Sequence, residues 1–537
     1  MLRSLTVALL LLPIANSQST SPSPGLTLIS PNGMSTTDSY LVDSNMQVTH
    51  QWATSTVPGN SSYLDRDGNL LKPVRTGASP LPGSGGGIQR IAYDGTVLWD
   101  YVHTQGVGHH DIEELPNGNV LLIVAQEIPA ASIIGLGRDP ALVTTATWVT
   151  DTVVELQQTG PTTAAIVWEW RAIDHLVQDF LPAGPDFDVV ADRPERIDAN
   201  YPPTLPTAYW FHFNGVDYNP ELDQIAISAR NWSEMWIIDH STTTAEAAGS
   251  TGGNSGKGGD LLYRWGNPAA YGAPGPQQLS LQHDVNWVEP GRPGAGNLIC
   301  FNNEKGSLVG MANSSAVTEI IPPIDVNGNY PLTPGSAWGP AAPVWEYTDP
   351  TPTNFYSPIL SSAQRLQNGN TLISSAVQER IFEVGLNDAI VWEANTYPRT
   401  FKVRRYESAL FPQAKELSVQ AGGSIALHMH AGSDNAGRFY LMLGSTNGTT
   451  PGFNIQGFNV PINPNDFYFD WTVRLQGAPL ASNFGVLDAL GRATATYSLP
   501  PGTAAVWAGT IVQHAYGVFQ NGSVYLVSEA RSLELLP

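Results

Sequence analysis

The sequence predicts an all-β protein, a six-bladed β-propeller followed by a C-terminal β-sandwich-like domain. A tryptophan-anchored phrase occurs six times: Val48-Thr49-His50-Gln51-Trp52, Val97-Leu98-Trp99-Asp100-Tyr101, Ile166-Val167-Trp168-Glu169-Trp170, Leu262-Tyr263-Arg264-Trp265, Val344-Trp345-Glu346-Tyr347 and Ile390-Val391-Trp392-Glu393. Several copies are followed by a turn and an apolar strand, clearest in Asp67-Gly68-Asn69-Leu70-Leu71, Asn117-Gly118-Asn119-Val120-Leu121 and Asn368-Gly369-Asn370-Thr371-Leu372. Such turns need positive φ and mark hairpins. Six copies of one antiparallel unit are the pattern of a propeller. The tryptophans are spaced by 47, 69, 97, 80 and 47 residues. The short spacings fit one four-stranded blade, and the long ones imply loop insertions.

Each segment follows in order. Residues 1–17 read as a secretory leader: Arg3 is the basic start, Leu5 to Ile14 the apolar stretch, and Ala15-Asn16-Ser17 a small-residue cleavage site. The apolar stretch is too short to span a bilayer, and no later run is long enough. A secreted, extracellular protein is expected. A Ser/Pro-rich linker covers 18–26, and the propeller is expected over 27–414. Leu26 to Ser30 and Tyr40 to Val42 read as outer strands before the Trp52 phrase. No Asn-Gly-Asn strand follows Trp392, so Phe401 to Tyr406 is expected to pair with the N-terminal strands and close the ring. Ser241 to Gly259 and Ala78 to Gly87 are rich in small residues and read as mobile loops. Residues 415–537 carry short alternating strands, such as Phe439 to Leu443 and Val524 to Val527, between Pro/Gly turns; this is the pattern of a sandwich.

Composition excludes several classes. The formal charge is -22, from 47 acidic and 25 basic residues, which argues against nucleic acid and anionic membranes as partners. Cys300 is the single cysteine, so no internal disulfide forms, and its apolar strand makes it a packing residue. Sequons stand at Asn60, Asn231, Asn313, Asn447 and Asn521, which predicts a glycoprotein in a eukaryotic host. Asn231 is expected to stay unmodified because of its position. Asp65-Arg66-Asp67-Gly68-Asn69 lacks the distal Glu of a calcium loop and reads as a turn. His428-Met429-His430 places two histidines on one strand face.

The innermost strand of each blade lines the channel, and residues at its start gather at one mouth. Counting from the Trp52 unit, blade two gives Gly108-His109-His110-Asp111, blade three Phe211-His212-Phe213-Asn214 and blade four Leu281-Gln282-His283-Asp284. The next strand of blade three ends in Ser228-Ala229-Arg230. Three readings stay open: histidines that stabilise the repeat by hydrogen bonds, a three-histidine zinc site, and an anion-handling site. Arg230 opposes a cation and offers fork-shaped donors to an oxyanion. In the third reading one neutral imidazole attacks while others donate protons.

At these residues the chain resembles the arylsulfate sulfotransferase family, secreted enzymes that work without a nucleotide co-substrate. The resemblance rests on His109-His110-Asp111 with Leu115-Pro116-Asn117-Gly118-Asn119, Trp210-Phe211-His212-Phe213-Asn214, Ser228-Ala229-Arg230, Gln282-His283 and Gln364-Arg365-Leu366, over roughly residues 40–415. It implies a six-bladed propeller that moves a sulfuryl group from an aryl sulfate to a phenol through a sulfohistidine, with no metal or other cofactor. It implies His283 as nucleophile and His212 and Arg230 as binders of the sulfuryl oxygens. His110, or its neighbour His109, would complete the set, and Asn214 would orient His212. Tyr209, Trp232, Phe355 and Tyr356 are the candidate aromatic walls for the substrate ring. The family's bacterial members carry an N-terminal sandwich and a disulfide; this chain has neither and places its extra domain at the C-terminus, as a divergent branch would. The competing readings are a non-catalytic propeller that binds extracellular ligands or glycans, and a sulfatase-type hydrolase.

Overall fold

The computed structural model describes residues 21–31, 37–77, 83, 85–202, 208–311, 313–395, 399–407 and 409–537. The expected leader, 1–17, and most of Ala78 to Gly87 lie outside the described residues.

Six four-stranded antiparallel sheets form the propeller. Blade 1 takes three strands from the N-terminus, Leu26–Ile29, Ser39–Val42 and Val48–Trp52, and its innermost strand, Arg404–Tyr406, from the far end of the ring. Leu26 pairs with Tyr406 and Leu28 with Arg404, so no blade edge is left open at the join. Blades 2 to 6 each run inside to outside in chain order, starting at Tyr63–Leu64, Val107–Glu114, Phe213–Asn219, His283–Trp287 and Ser362–Arg365. The three histidine-bearing strands therefore belong to blades 3, 4 and 5, one later than the sequence count. The count went astray because each tryptophan phrase ends its blade, and the hairpin after it opens the next.

The recurrence of tryptophan has a physical cause. All six phrases stand on outermost strands, and in each one indole N–H, that of Trp170 in the third, donates to the connection between the third and fourth strands of the next blade. Trp52 donates to Ala92 O (2.9 Å), Trp99 to Thr163 O (3.3 Å), Trp170 to Gly259 O (2.7 Å), Trp265 to Pro340 O (2.8 Å), Trp345 to Asp388 Oδ1 (3.0 Å) and Trp392 to Ser44 O (2.6 Å). The last bond brings the circle back to blade 1. An indole suits this place because it combines a large apolar area with one donor.

Ser241 to Gly259 is not a loose loop. Thr243 and Glu246 form a reciprocal cap on a short helix, Thr244–Ala247. Gly259 receives the Trp170 indole. Asp65 organises its turn by accepting from the Asp67 and Asn69 N–H groups (2.9 and 2.8 Å) while pairing with Arg90 (2.9 Å).

The C-terminal part packs two sheets face to face. One holds Ala409–Pro412, Gly423–His430, Arg492–Leu499 and Leu480–Ala481. The other is built on Ile511–Gln520 and Phe439–Ser445. A core of Leu, Ile, Val, Met and Tyr side chains lies between them. Because Ala409–Pro412 pairs with Gly423–His430, the chain changes sheet between Tyr406 and Ala409, ahead of the expected 415. His428 and His430 lie at this junction, where Tyr93 of blade 2 donates or accepts at His430 Nε2 (2.9 Å).

Ring closure also brings a cation to the axis. Lys402 Nζ stands 2.5 Å from Asp111 Oδ2, 2.7 Å from Asp284 Oδ1 and 3.0 Å from the Tyr63 hydroxyl. Arg404 adds a second contact to Asp284 (2.7 Å). Burial alone would push the Asp284 carboxyl up, but Arg404 and Lys402 hold it below its usual range. Lys402, Arg404, Asp111 and Asp284 are buried, and Tyr63 is half-buried. Removing one partner of a buried charge set leaves an uncompensated charge, at a cost of about 3–5 kcal/mol. Lys402→Met is therefore expected to lower unfolding stability by about that amount, read by urea titration; a loss below about 1 kcal/mol would mean that solvent reaches the carboxylates.

Candidate functional site

Local backbone geometry places the site. In blades 3, 4 and 5 the inner strand bulges at its start: between Gly108 and Ile112, between Phe213 and Val216, and between His283 and Asn286. His110, His212 and Asp284 adopt φ of 55°, 55° and 56°. Left-handed backbone at bulky residues is costly, and bulges re-aim side chains toward a site. Here they turn three histidines inward at one end of the channel.

His109 and His110 meet through their Nδ1 atoms at 2.8 Å. The His110 and His212 ring centroids are 5.0 Å apart, and Tyr209 stacks on His212 at 4.5 Å. Arg230 follows the second strand of blade 4, and its N–H donates to the His212 carbonyl (3.3 Å). Phe401, from the closing segment, turns its ring edge-on to both His110 and His283, at 6.4 and 5.7 Å between centroids. Arg230 and His283 both stand close enough to His212 to influence its titration, so the four side chains share one electrostatic environment.

The tautomer of His283 follows from its partners. Asn303 Nδ2 donates to the Ser357 and Leu360 carbonyls (2.7 and 2.9 Å), which leaves its Oδ1 as acceptor for His283 Nδ1 (2.7 Å). His283 thus carries its proton on Nδ1 and a lone pair on Nε2. The Leu360 N–H rests on that lone pair at 3.2 Å.

The imidazoles are neutral for physical reasons. Burial holds His110, His212 and His283 well below the usual histidine range. The next causes are His109 and Arg230 for His110, His110 and Arg230 for His212, and Arg230 for His283. Burial takes His109 to about 3. Arg230 is brought down to about 10 by burial, with Glu304 acting in the opposite direction. Its guanidinium donates, among the described residues, to Asn231 Oδ1 at 3.4 Å.

The other expected residues fall in different places. Tyr209 belongs to the site, within 2.9 Å of both His109 ring nitrogens. Tyr356 is half-buried and donates to Glu304 (2.8 Å), the carboxylate that acts on Arg230. Trp232 is no wall of the site; it is fully buried in the blade 4 core among Tyr201, Phe211 and Trp236. Phe355 is likewise core, packed on Phe301 and Phe382. Asn214 does not orient His212. Its Nδ2 donates to the Gln282 carbonyl (2.9 Å) and so steadies the strand start of His283. The site is also less open than a funnel mouth: His110, His212, Arg230 and His283 are each at most 8 % exposed. Gly83, at φ +71°, lies on His110, where a Cβ would stand 2.2 Å from the ring. Cys300 is buried in blade 5, and burial pushes its thiol up. Among the described residues no three His, Cys, Asp or Glu side chains converge with metal-binding geometry, and no helix is long and apolar enough to cross a membrane.

Asn303, Phe401 and Lys402 were missed by the sequence reading. Asn303 follows Phe301-Asn302 at a strand end and carried no motif. Lys402 had one signal, a cation in the segment expected to close the ring.

The arylsulfotransferase (ASST) family model matches residues 81–395, more than half of the chain. The chain belongs to the arylsulfotransferase family. The matched region holds every histidine of the site and Arg230, while the closing strand and the sandwich lie beyond it. No curated protein matches the sequence. Among solved structures the chain is similar to a streptogramin B lyase (10% identity, 76% of this chain and 92% of that one, TM-score 0.33). It is also similar to the Dos1 propeller (8%, 90% and 96%, 0.26) and to Kuenenia stuttgartiensis hydrazine synthase (16%, 56% and 69%, 0.32).

The buried neutral histidines of this family member give a pH signature. Each gains a proton more readily when unfolded, near pH 6.5, than when folded. Their contribution to stability is present above pH 6.5 and is lost as pH falls below it. His212→Asn should flatten the dependence of unfolding free energy on pH between 6.5 and 5 by about 1.4 kcal/mol per pH unit. Denaturant titrations at stepped pH check this, and an unchanged slope would mean that His212 is charged in the folded state.

Proposed function

We propose that this protein transfers a sulfuryl group from an aryl sulfate to a phenolic acceptor, through a sulfuryl adduct on His283. One observation carries the reading: buried neutral imidazoles stand around a buried guanidinium, a fork of donors that suits an anion's oxygens. A sulfate ester is such an anion, and its sulfur is open to a neutral nitrogen.

Arg230 and His212 hold the sulfuryl oxygens where negative charge grows in the transition state. The Nε2 lone pair of His283 attacks sulfur, while Nδ1–H stays on Asn303. The S–O bond to the aryl group breaks, and its electron pair leaves on the phenolate oxygen. The attack requires the Leu360 N–H to give up Nε2. A phenol then takes the group from His283 by the reverse path. Tyr209 and Phe401 are the rings that face the site histidines. No residue here calls for a metal or nucleotide. Secretion is part of the reading, supported by the leader-like residues 1–17, and the partners are small molecules rather than nucleic acid.

A chromogenic aryl sulfate with and without phenol tests the class. Release only with phenol marks a transferase, release without it a sulfatase, and no release a binding module. His283→Ala is expected to abolish transfer, and donor alone should leave a sulfuryl mass on His283 of the wild type. Arg230→Lys keeps the charge but loses the fork, at a cost of roughly 2–3 kcal/mol in transition-state stabilisation. Near wild-type turnover by His283→Ala would rule the mechanism out.

Secretion from a eukaryotic host also predicts a glycan pattern. Asn447 and Asn521 are exposed, whereas Asn231 is fully buried and donates to the Tyr209 carbonyl. Glycopeptide mass spectrometry should find glycans on Asn447 or Asn521 and none on Asn231. A glycan on Asn231 would contradict the fold of the site.

A further inference from the structure

We propose that Asp151, His109 and His110 form a proton relay that serves the aryl oxygen, with Asp151 and His109 acting through His110. The inference rests on the transfer reading above and adds to it the source and destination of the proton.

The geometry begins with a bulge. Three residues, His109 to Asp111, stand where the neighbouring strand of blade 3 has one, between partners Leu122 and Val124. The extra length turns both imidazoles out of the ladder. Asp151, on the third strand, lies opposite Ala125 on the second. Directly opposed residues share a face, and the small Ala125 side chain leaves the space over which His109 meets Asp151. His109 Nε2 stands 2.9 Å from Asp151 Oδ1, and His109 Nδ1 stands 2.8 Å from His110 Nδ1. All three side chains are buried.

Two further donors point at Asp151: the Phe213 N–H reaches Oδ2 at 3.3 Å, and the Tyr209 hydroxyl reaches Oδ1 at 3.2 Å. Burial pushes this carboxyl up, and those donors, with the His212 N–H, act against it. A group approached by this many donors is an acceptor, so His109, whose Nε2 stands 2.9 Å from Oδ1, presents an N–H rather than a lone pair to it. Its Nδ1 is then a lone pair, and only a proton on His110 Nδ1 satisfies the 2.8 Å contact. His110 Nε2, with no hydrogen-bond partner among the described residues, is left as the basic nitrogen. Each link fixes the tautomer of the next, as a carboxylate fixes the histidine in a hydrolase triad.

The chemistry balances over one cycle. The donor brings a negative charge beside His110, against the positive charges of Arg230 and Lys402 and beside His109 and His212. His110 takes up a proton from water on Nε2 and gives it back to water when the cycle ends. As the S–O bond breaks, the aryl oxygen accepts that proton and leaves as phenol, while sulfur bonds to His283. In the second half the acceptor's O–H bond breaks, its proton returns to His110 Nε2, and the S–N bond electrons return to His283. Asp151 stabilises the transient positive charge through His109.

The opposite polarity is the rival. In it Asp151 keeps a proton and donates to His109, His109 Nδ1–H donates to His110, and His110 Nε2 carries hydrogen. Nitrogen-15 histidine correlation spectra of the whole protein near pH 7.5 distinguish the two, with assignments from His109→Gln and His110→Gln. The relay requires hydrogen on His109 Nε2 and on His110 Nδ1. Hydrogen on His110 Nε2 with a bare Nδ1 overturns it, and this readout needs no activity. A second test uses donors of different leaving-group acidity. A nitrophenolate leaves without a proton, whereas an alkylphenolate needs one. Asp151→Asn should lower kcat on the alkylphenyl sulfate by roughly 10²–10⁴-fold and on the nitrophenyl sulfate by less than about tenfold. Equal losses on both donors would make Asp151 a structural residue only and sink the relay. If Asp151→Asn does not fold, His109→Gln is read by the same comparison. If the wild type transfers nothing while the tautomers are as required, the transfer reading fails and the hydrogen-bonded chain stands.

Discussion

The Lys402 ammonium, held between the carboxylates of Asp111 and Asp284, is the interaction on which both ring and site depend. Lys402 lies beside the strand that closes the propeller. Asp111 follows His110 and Asp284 follows His283 in the chain. One buried cation therefore ties the closing segment to two site-bearing strands in different blades. Burial pulls the ammonium down, but Asp111 and Asp284 more than offset this and leave it raised. Arg404 brings a second positive charge to Asp284, so two cations face two carboxylates. Such a set contributes little as a source of raw stability, since desolvation offsets most of the attraction. It does forbid arrangements in which any member is missing.

A second circle runs around the outside. Six indole N–H groups each reach the following blade, and the sixth reaches the first. One such bond is worth about 1 kcal/mol, so the circle orients blades more than it glues them. The glue is the apolar area between sheets. With a single cysteine there is no covalent clasp, and closure rests on packing, the shared blade and the axial charges.

Inside this frame the site works by subtraction of water. Burial strips the histidines of the hydration that would favour their charged forms, and Arg230 adds a positive charge that disfavours them again. The result is a set of lone pairs beside one strong cation, suited to an anionic ester. The same burial makes positions exact to within a hydrogen bond: Asn303 fixes His283, and Asp151 with Tyr209 fixes His109. Strain in the αL backbone of His110 and His212 is held by the sheets on either side.

The amino-acid sequence by itself determined what is local or periodic. Six tryptophans and the Asn-Gly turns made the blades countable, because each blade repeats the same strand and turn requirements. The histidines and Arg230 were visible because blades repeat their inner strand in register, so equivalent positions meet whatever the intervening loop length. Tertiary structure alone decided what depends on contacts between distant residues. Trp232 and Phe355, aromatic and near the site in sequence, turned into core, since an aromatic ring has no sequence mark for the face it will bury. Asn214 turned toward Gln282 because the bulge re-aims its side chain, and a bulge changes direction without changing composition. Asp151, Asn303 and Lys402 carried no motif: each acts through one atom placed by a strand from elsewhere in the ring, and such placement is set by packing rather than by spacing.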